Sequence, residues 1–201
     1  MKLTRRSFIK LLPIGAALSV ALWWFLKQEA PTSSTRTAEN TASSQATEVT
    51  GASDFPVTWN GGGPINIDPK DYRLRVDGDV SNPLQLTLNE LYDMPSVSEN
   101  QTIRCVEGWS ALVAWEGIPL SRLLNLAGAP SEFDHVTVES ITGYATDISK
   151  NDVAKSGTMI ALKAGSAPLK VEHGYPTRLV LPGRPGYDWV KYVGRITCRK
   201  Q

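Results

Sequence analysis

Between Pro31 and Ser53 the chain carries eleven serines and threonines in 23 residues and no aromatic residue. Such a stretch cannot bury enough apolar surface to offset the entropy of ordering its backbone. It reads as a flexible linker, and it divides the 201 residues in two. Any core must come from residues 54–201, a length that supports one globular domain.

Residues 1–30 read as an address. Lys2, Arg5, Arg6 and Lys10 precede the apolar run Leu11 to Leu26. A basic segment before an apolar one is the layout of an export signal. The paired arginines, followed by Ser7-Phe8-Ile9-Lys10, resemble a twin-arginine signal, which engages an export machinery that accepts folded proteins. As a helix the apolar run spans about 24 Å against a hydrocarbon core of about 30 Å. Pro13 interrupts it, and Gln28-Glu29-Ala30 is a poor cleavage site, so a cleaved signal and a retained anchor both remain open. The basic residues place the N-terminus in the cytoplasm. The folded part is expected in the periplasm or on the outer face of the cytoplasmic membrane, tethered there if the segment is retained.

The folded part mixes short strands with occasional helices. Tyr72 to Asp77 alternates apolar and polar residues, the pattern of a half-buried strand. Thr87-Leu88-Asn89-Glu90 fits a capping box and predicts a short helix that runs until Pro95. Pro119 suits the first turn of another, with Leu120, Leu123 and Leu124 on one face and Gly128 as the stop. Strands are expected at Gln101–Val106, His135–Ser140, Met159–Leu162, Arg178–Leu181 and Val193–Arg199. Without a βαβ rhythm the expectation is a strand-rich α+β domain.

Composition narrows the function classes. A net charge of +1, from 21 basic and 20 acidic residues, gives no reason to expect a nucleic-acid partner. Two cysteines and two histidines are too few for several zinc sites, and the lack of a C-x-x-C-H sequence excludes a covalently attached c-type haem.

Cys105 carries the most chemistry. It stands in Arg104-Cys105-Val106-Glu107-Gly108-Trp109-Ser110, where a strand runs into a glycine-containing loop. Loops at strand ends are where a scaffold presents reactive groups, and a thiolate is a soft metal ligand. Arg104 beside it favours the thiolate form. A disulfide with Cys198, an inert core thiol and a catalytic nucleophile remain open alternatives. A second cluster gathers His173, Arg178, Arg184 and Lys191 within 19 residues, among three glycines. Glycine permits close backbone approach and arginine offers a planar fork for phosphate oxygens, which fits an anionic cofactor. A solvated basic loop is the alternative. Gly108-Trp109-Ser110-Ala111-Leu112 narrowly misses the G-x-S-x-G elbow of a hydrolase, lacking the final glycine.

Taken together, the two clusters resemble the catalytic domain of the sulfite oxidase family, the molybdopterin-dependent oxidoreductases. Four stretches carry the resemblance. They are Pro64–Gly78 with Leu86-Thr87-Leu88, Cys105–Trp109 with Trp115–Leu120, His173–Gly183, and Trp189–Lys191. The resemblance implies a single molybdopterin-binding domain over residues 54–201, without the C-terminal dimerisation domain of the long members, and hence a monomer. It implies Cys105 as the thiolate ligand of molybdenum and as the catalytic residue. By the same resemblance His173, Arg178, Trp189, Val190 and Lys191 surround the pterin cofactor, with Ser140 and Asn60 as further polar contacts. Cys198 then becomes a core thiol and Trp109 and Trp115 packing residues, while Tyr144, in a Gly-Tyr turn, is either a structural residue or one that faces the pocket.

The family's chemistry is two-electron oxygen-atom transfer at molybdenum. With no haem or iron–sulfur motif of its own, the chain is expected to need a separate electron-transfer partner, a membrane haem protein or a cytochrome c. Animal and plant members hold sulfite with an arginine near the start of the domain. This chain reads Val57-Thr58-Trp59-Asn60 there. The short bacterial members, among them periplasmic methionine-sulfoxide reductase catalytic subunits, are the nearer resemblance. A small neutral S-oxide or N-oxide is therefore the expected substrate. The alternatives are sulfite, with Arg104 or Arg184 replacing the missing cation, and a binding domain that has lost the metal.

Overall fold

A computed structural model describes residues 55–58 and 63–200. The export segment, the linker and Asn60 lie outside the described residues. Among those described, no helix is long and apolar enough to cross a membrane.

Two five-stranded sheets form the domain. The first runs in the order β2 (Leu84–Thr87), β1 (Arg73–Gly78), β10 (Val193–Arg199), β5 (His135–Ser140) and β6 (Ala145–Ser149). The last strand of the chain sits at its centre, parallel to β1 and antiparallel to β5. The second sheet is built on β4 (Ser110–Pro119), which pairs with β3 (Val97–Arg104) on one side and β7 (Met159–Ala164) on the other. Strands β8 (Ala167–Pro168) and β9 (Arg178–Val180) both pair with β7. One cluster of buried apolar side chains draws on both sheets, with Leu74, Val76, Val138 and Ile196 from the first and Ile103, Val113, Trp115 and Ile160 from the second.

Three short helices close the connections. In α1 (Leu88–Asp93) the Thr87 side chain accepts from the Glu90 amide while the Glu90 carboxylate accepts from the Thr87 amide. That reciprocal cap is worth about 1 kcal/mol. The second helix, α2 (Leu120–Leu126), starts after Pro119, buries Leu120, Leu123 and Leu124, and gives way to Gly128 at φ 69°. Ser149 and Asp152 form a second capping box on α3 (Lys150–Ala154).

The strand-rich α+β expectation holds. Strands β5 and β10 have the bounds expected from the sequence, while β3 begins earlier and stops at Arg104, leaving Cys105 in the turn. The structure adds β2, β4, β6, β8 and α3 to the expected elements. Because Ser110 to Leu112 open β4 rather than a helix, there is no strand–turn–helix to form a hydrolase elbow.

Candidate cofactor site

The β3–β4 hairpin presents Cys105. Its amide donates to the Trp109 carbonyl at 2.9 Å, and the Gly108 amide donates back to the Cys105 carbonyl at 3.1 Å. Gly108 has φ 93°, a conformation that side chains with a Cβ rarely adopt. The turn leaves the Cys105 thiol half-buried, with its Sγ 3.3 Å from Thr58 Oγ1. Thr58 Oγ1 also donates to Glu107 Oε2 at 2.8 Å. Cys198 lies on β10, fully buried, and both cysteines are free thiols, so the disulfide alternative falls.

Arg178 enters from β9. Its side chain is only 3% exposed, with the guanidinium 5.9 Å from the ring centre of Phe55 and 5.8 Å from that of Trp115. One guanidinium nitrogen donates to the His173 carbonyl at 3.1 Å, while Nε is buried with no hydrogen-bond partner among the described residues. Burial brings the Arg178 pKa down to about 10, which leaves it charged at neutral pH. The His173 ring stacks on Phe55 at 3.9 Å.

Lys191 pairs with Arg178 through a backbone bridge and donates from Nζ to the Glu172 carbonyl at 2.9 Å. Burial, reinforced by the Arg178 charge, lowers the Lys191 pKa to about 7. Gly174, at φ 105°, makes this approach possible, since a Cβ there would stand 3.0 Å from Lys191 Cβ. Tyr192 follows Lys191 in the left-handed region at φ 55°, a strained conformation for a residue with a Cβ. It is held by its hydroxyl on the Val171 carbonyl at 2.6 Å and by the Ile141 amide on its own carbonyl at 2.9 Å.

The 186–192 connection completes the wall. A Cβ on Gly186 would meet the Arg104 carbonyl at 2.8 Å, so glycine is what lets this connection abut the end of β3, next to Cys105. The buried Asp188 accepts from Arg184 at 2.8 Å and from Thr146 of β6 at 3.2 Å. Trp189 packs edge-on against Trp115 and donates to the Arg184 carbonyl at 3.1 Å.

These groups surround one cleft of about 480 Å³. Cys105, Ser140, His173, Arg178, Trp189, Val190 and Lys191, all singled out from the sequence, line it. Thr58, Trp109, Tyr144 and Tyr187 line it too; the sequence left Tyr144 open between a structural and a pocket-facing role and placed Thr58 in the segment where other members carry the sulfite-holding arginine. Arg104 and Arg184 do not line it: Arg104 is exposed, and Arg184 is tied to Asp188. Among the described residues the lining contains two cations and no carboxylate. The same residues include no cluster of three histidine, cysteine or acidic side chains that could hold a metal on its own. Among the described residues, Cys105 is thus not joined by enough such side chains to hold a metal without a further donor group.

The fold and the cleft define a small α+β domain with a lone thiol facing a cationic wall. The chain matches the oxidoreductase molybdopterin binding domain over residues 60–201 and belongs to that family. Its cofactor class is molybdopterin with molybdenum, and it is an oxidoreductase domain. It is 33% identical to YedZ1 of Azospira oryzae, whose name assigns it provisionally to protein-methionine-sulfoxide reductase, over 63% of this chain and 48% of that one. It is 30% identical to the protein-methionine-sulfoxide reductase catalytic subunit MsrP of Gluconobacter oxydans, over 64% of this chain and 47% of the relative. Among solved structures, the sulfane dehydrogenase SoxCD of Paracoccus pantotrophus superposes with a TM-score of 0.65 at 28% identity, covering 69% of this chain and 41% of that one. The chain thus spans about half the length of these relatives or less.

The residues present fit the cofactor. An anionic group answers the two cations and the buried, unpartnered Arg178 Nε, and the Cys105 sulfur supplies the one soft ligand the cleft offers.

Proposed function

We propose that this chain is a catalytic domain that exchanges an oxygen atom with a small neutral S-oxide or N-oxide outside the cytoplasmic membrane. The observation that carries the reading is the shared cleft, with Cys105 on one side and Arg178 and Lys191 on the other.

In this reading Cys105 holds molybdenum as a thiolate. Arg178, Lys191 and His173 hold the anionic end of the pterin, with Ser140 and the Trp189–Val190 edge enclosing it. The bound cofactor supplies two-electron oxygen-atom exchange. In the reducing direction an S-oxide, two electrons and two protons yield a thioether and water. The protein orients the substrate and screens it from bulk water. The electrons come from a separate carrier, a membrane haem protein or a cytochrome c. The basic N-terminal segment engages the twin-arginine machinery. Asn60 remains a proposed contact by resemblance alone.

Sulfite is a poor fit because it is a compact dianion and the remaining lining cations are committed to the cofactor. Metal analysis of the natively exported protein tests the reading. About one molybdenum per chain is expected, together with reduction of a neutral oxide by a reduced artificial donor at a higher kcat/KM than sulfite oxidation. Protein that exports, folds and carries no molybdenum would be a binding domain instead.

A further inference from the structure

Six large apolar or aromatic side chains are markedly exposed among the described residues, and three of them, Val106, Tyr144 and Tyr187, line the cleft. A residue that lines a cleft and is also exposed stands where the cleft opens to solvent. Tyr144 comes from the turn between β5 and β6 and Tyr187 from the connection between β9 and β10. The Tyr144 hydroxyl donates to the Tyr187 carbonyl at 2.9 Å, which ties the two segments together across 43 residues of sequence. The rings are nevertheless 48% and 49% exposed. The Tyr187 backbone is fixed from beneath. Asp188, next to Tyr187, is buried and bonded to Arg184 and Thr146.

This opening carries apolar surface and no committed charge. Arg104 and Arg184 stay off the lining, and Arg178 and Lys191 are bound to backbone carbonyls deeper in the site. The Tyr144 ring is held by its hydroxyl and the Tyr187 backbone by its neighbours, and a tyrosine has only two side-chain torsions to order, so the area they contribute converts to affinity with little ordering cost. We infer that Tyr144 and Tyr187 form a specificity-determining rim that selects oxides with an aryl or similarly broad apolar arm over compact ones. The inference rests on the proposed reaction and names the substrate class within it. The oxide end of the substrate points inward and the apolar arm lies across the two rings. Tyr187 acts by ring contact. Tyr144 acts both by contact and by holding the Tyr187 backbone.

The test compares methyl phenyl sulfoxide with dimethyl sulfoxide on the molybdenum-replete full chain. Two readouts are used, kcat/KM with a reduced artificial donor and affinity by calorimetry. The unaltered protein is expected to prefer the aryl oxide by about 10-fold or more in both, the scale of apolar discrimination in a preformed pocket. Tyr187→Ala should bring the ratio close to one, whereas Tyr187→Phe should keep it. Tyr144→Phe should lower it a few-fold. If Tyr187→Ala loses molybdenum, Tyr144→Ala makes the same test from a different segment. Equal binding of both oxides by the unaltered protein, or a ratio that none of the alanine variants changes, overturns the rim. An aryl preference in calorimetry without turnover of either oxide upholds the rim and overturns the proposed reaction.

Discussion

Arg178 and Cys105 face the same cleft from opposite kinds of structure. Arg178 is buried beneath Phe55 and Trp115, on a strand paired with β7 and bridged to Lys191. Cys105 sits half-buried in the turn between β3 and β4, held by two backbone hydrogen bonds and a contact to Thr58. The basic wall keeps a charged group out of water with one nitrogen unpartnered, an arrangement that costs folding stability. The thiol wall carries no such cost. Substitutions in the two walls should therefore separate cofactor binding from stability in opposite ways.

The largest effect is expected at the thiol. Cys105→Ser should lose molybdenum and bring turnover to background, because a serine hydroxyl does not replace a soft thiolate ligand. Compared in cofactor-free protein, a substitution at this half-buried turn position away from the core should move the melting temperature by less than about 2 °C. Metal analysis beside a thermal melt checks both. Full activity in Cys105→Ser would remove the ligand assignment, and a collapsed melt would erase the contrast between the walls.

Arg178→Met comes next, and its sign on stability is the sharper part. Losing a charge-assisted contact should weaken cofactor affinity roughly 10- to 150-fold. The cofactor-free protein should be as stable as before or more stable, since methionine fills the space without a buried charge. Cofactor content by fluorescence after extraction, together with urea unfolding of the cofactor-free protein, reads the two halves. A large fall in stability would mean that Arg178 is a structural anchor.

Lys191 gives a pH signature of its own. Its pKa is about 7 in the cofactor-free fold, far below that of a lysine in the unfolded chain. Between those values the folded state binds fewer protons than the unfolded one, so the cofactor-free protein gains stability as pH rises through that window. A bound phosphate favours the charged form and raises the Lys191 pKa. Cofactor affinity is therefore greatest below pH 7 and declines as pH rises toward the bound-state value. Since Lys191 is partly open to solvent, the decline from pH 6 to pH 9 should be on the order of 10-fold. Lys191→Gln should flatten it. A decline of the same size in Lys191→Gln would place the titration elsewhere.

The comparison also separates what the sequence makes visible from what it hides. The Thr87–Glu90 cap and the alternation in β5 depend on neighbours a few residues apart, so the local pattern reveals them. Strand β4 hides because the outward positions between Ala111, Val113 and Trp115 are Leu112 and Ala114, apolar like their neighbours, and the alternation then breaks at the buried pair Gly117-Ile118. In β6 the inward residues are Thr146 and Ile148, and the buried threonine masks the alternation. The residue types of the basic wall announce their chemistry, and resemblance supplies Cys105. Thr58, Tyr144 and Tyr187 do not announce theirs. Their places come from hydrogen bonds that close over 40 residues or more, and no short window of sequence contains both partners.

The smallest expected effect belongs to Thr58, and it tests where the thiol wall ends. Thr58 has one hydroxyl proton, which goes to Glu107 Oε2 at 2.8 Å. With that proton committed, the 3.3 Å contact to Cys105 places the thiol as donor to the Thr58 oxygen. A deprotonated sulfur has nothing to donate, so the single Thr58 proton is then contested between the sulfur and the Glu107 carboxylate. The sulfur thus gains at most part of one hydrogen bond from Thr58, and one neutral hydrogen bond is worth about 0.5–1.5 kcal/mol. Thr58→Val keeps the shape and removes the hydroxyl. It should retain molybdenum, shift kcat per molybdenum by about 2- to 10-fold, and leave the melting temperature within about 2 °C. Turnover normalised to metal content decides the matter. If Thr58→Val loses metal as completely as Cys105→Ser, the hydroxyl is part of what fixes the ligand, and the thiol wall is as closely held as the basic one.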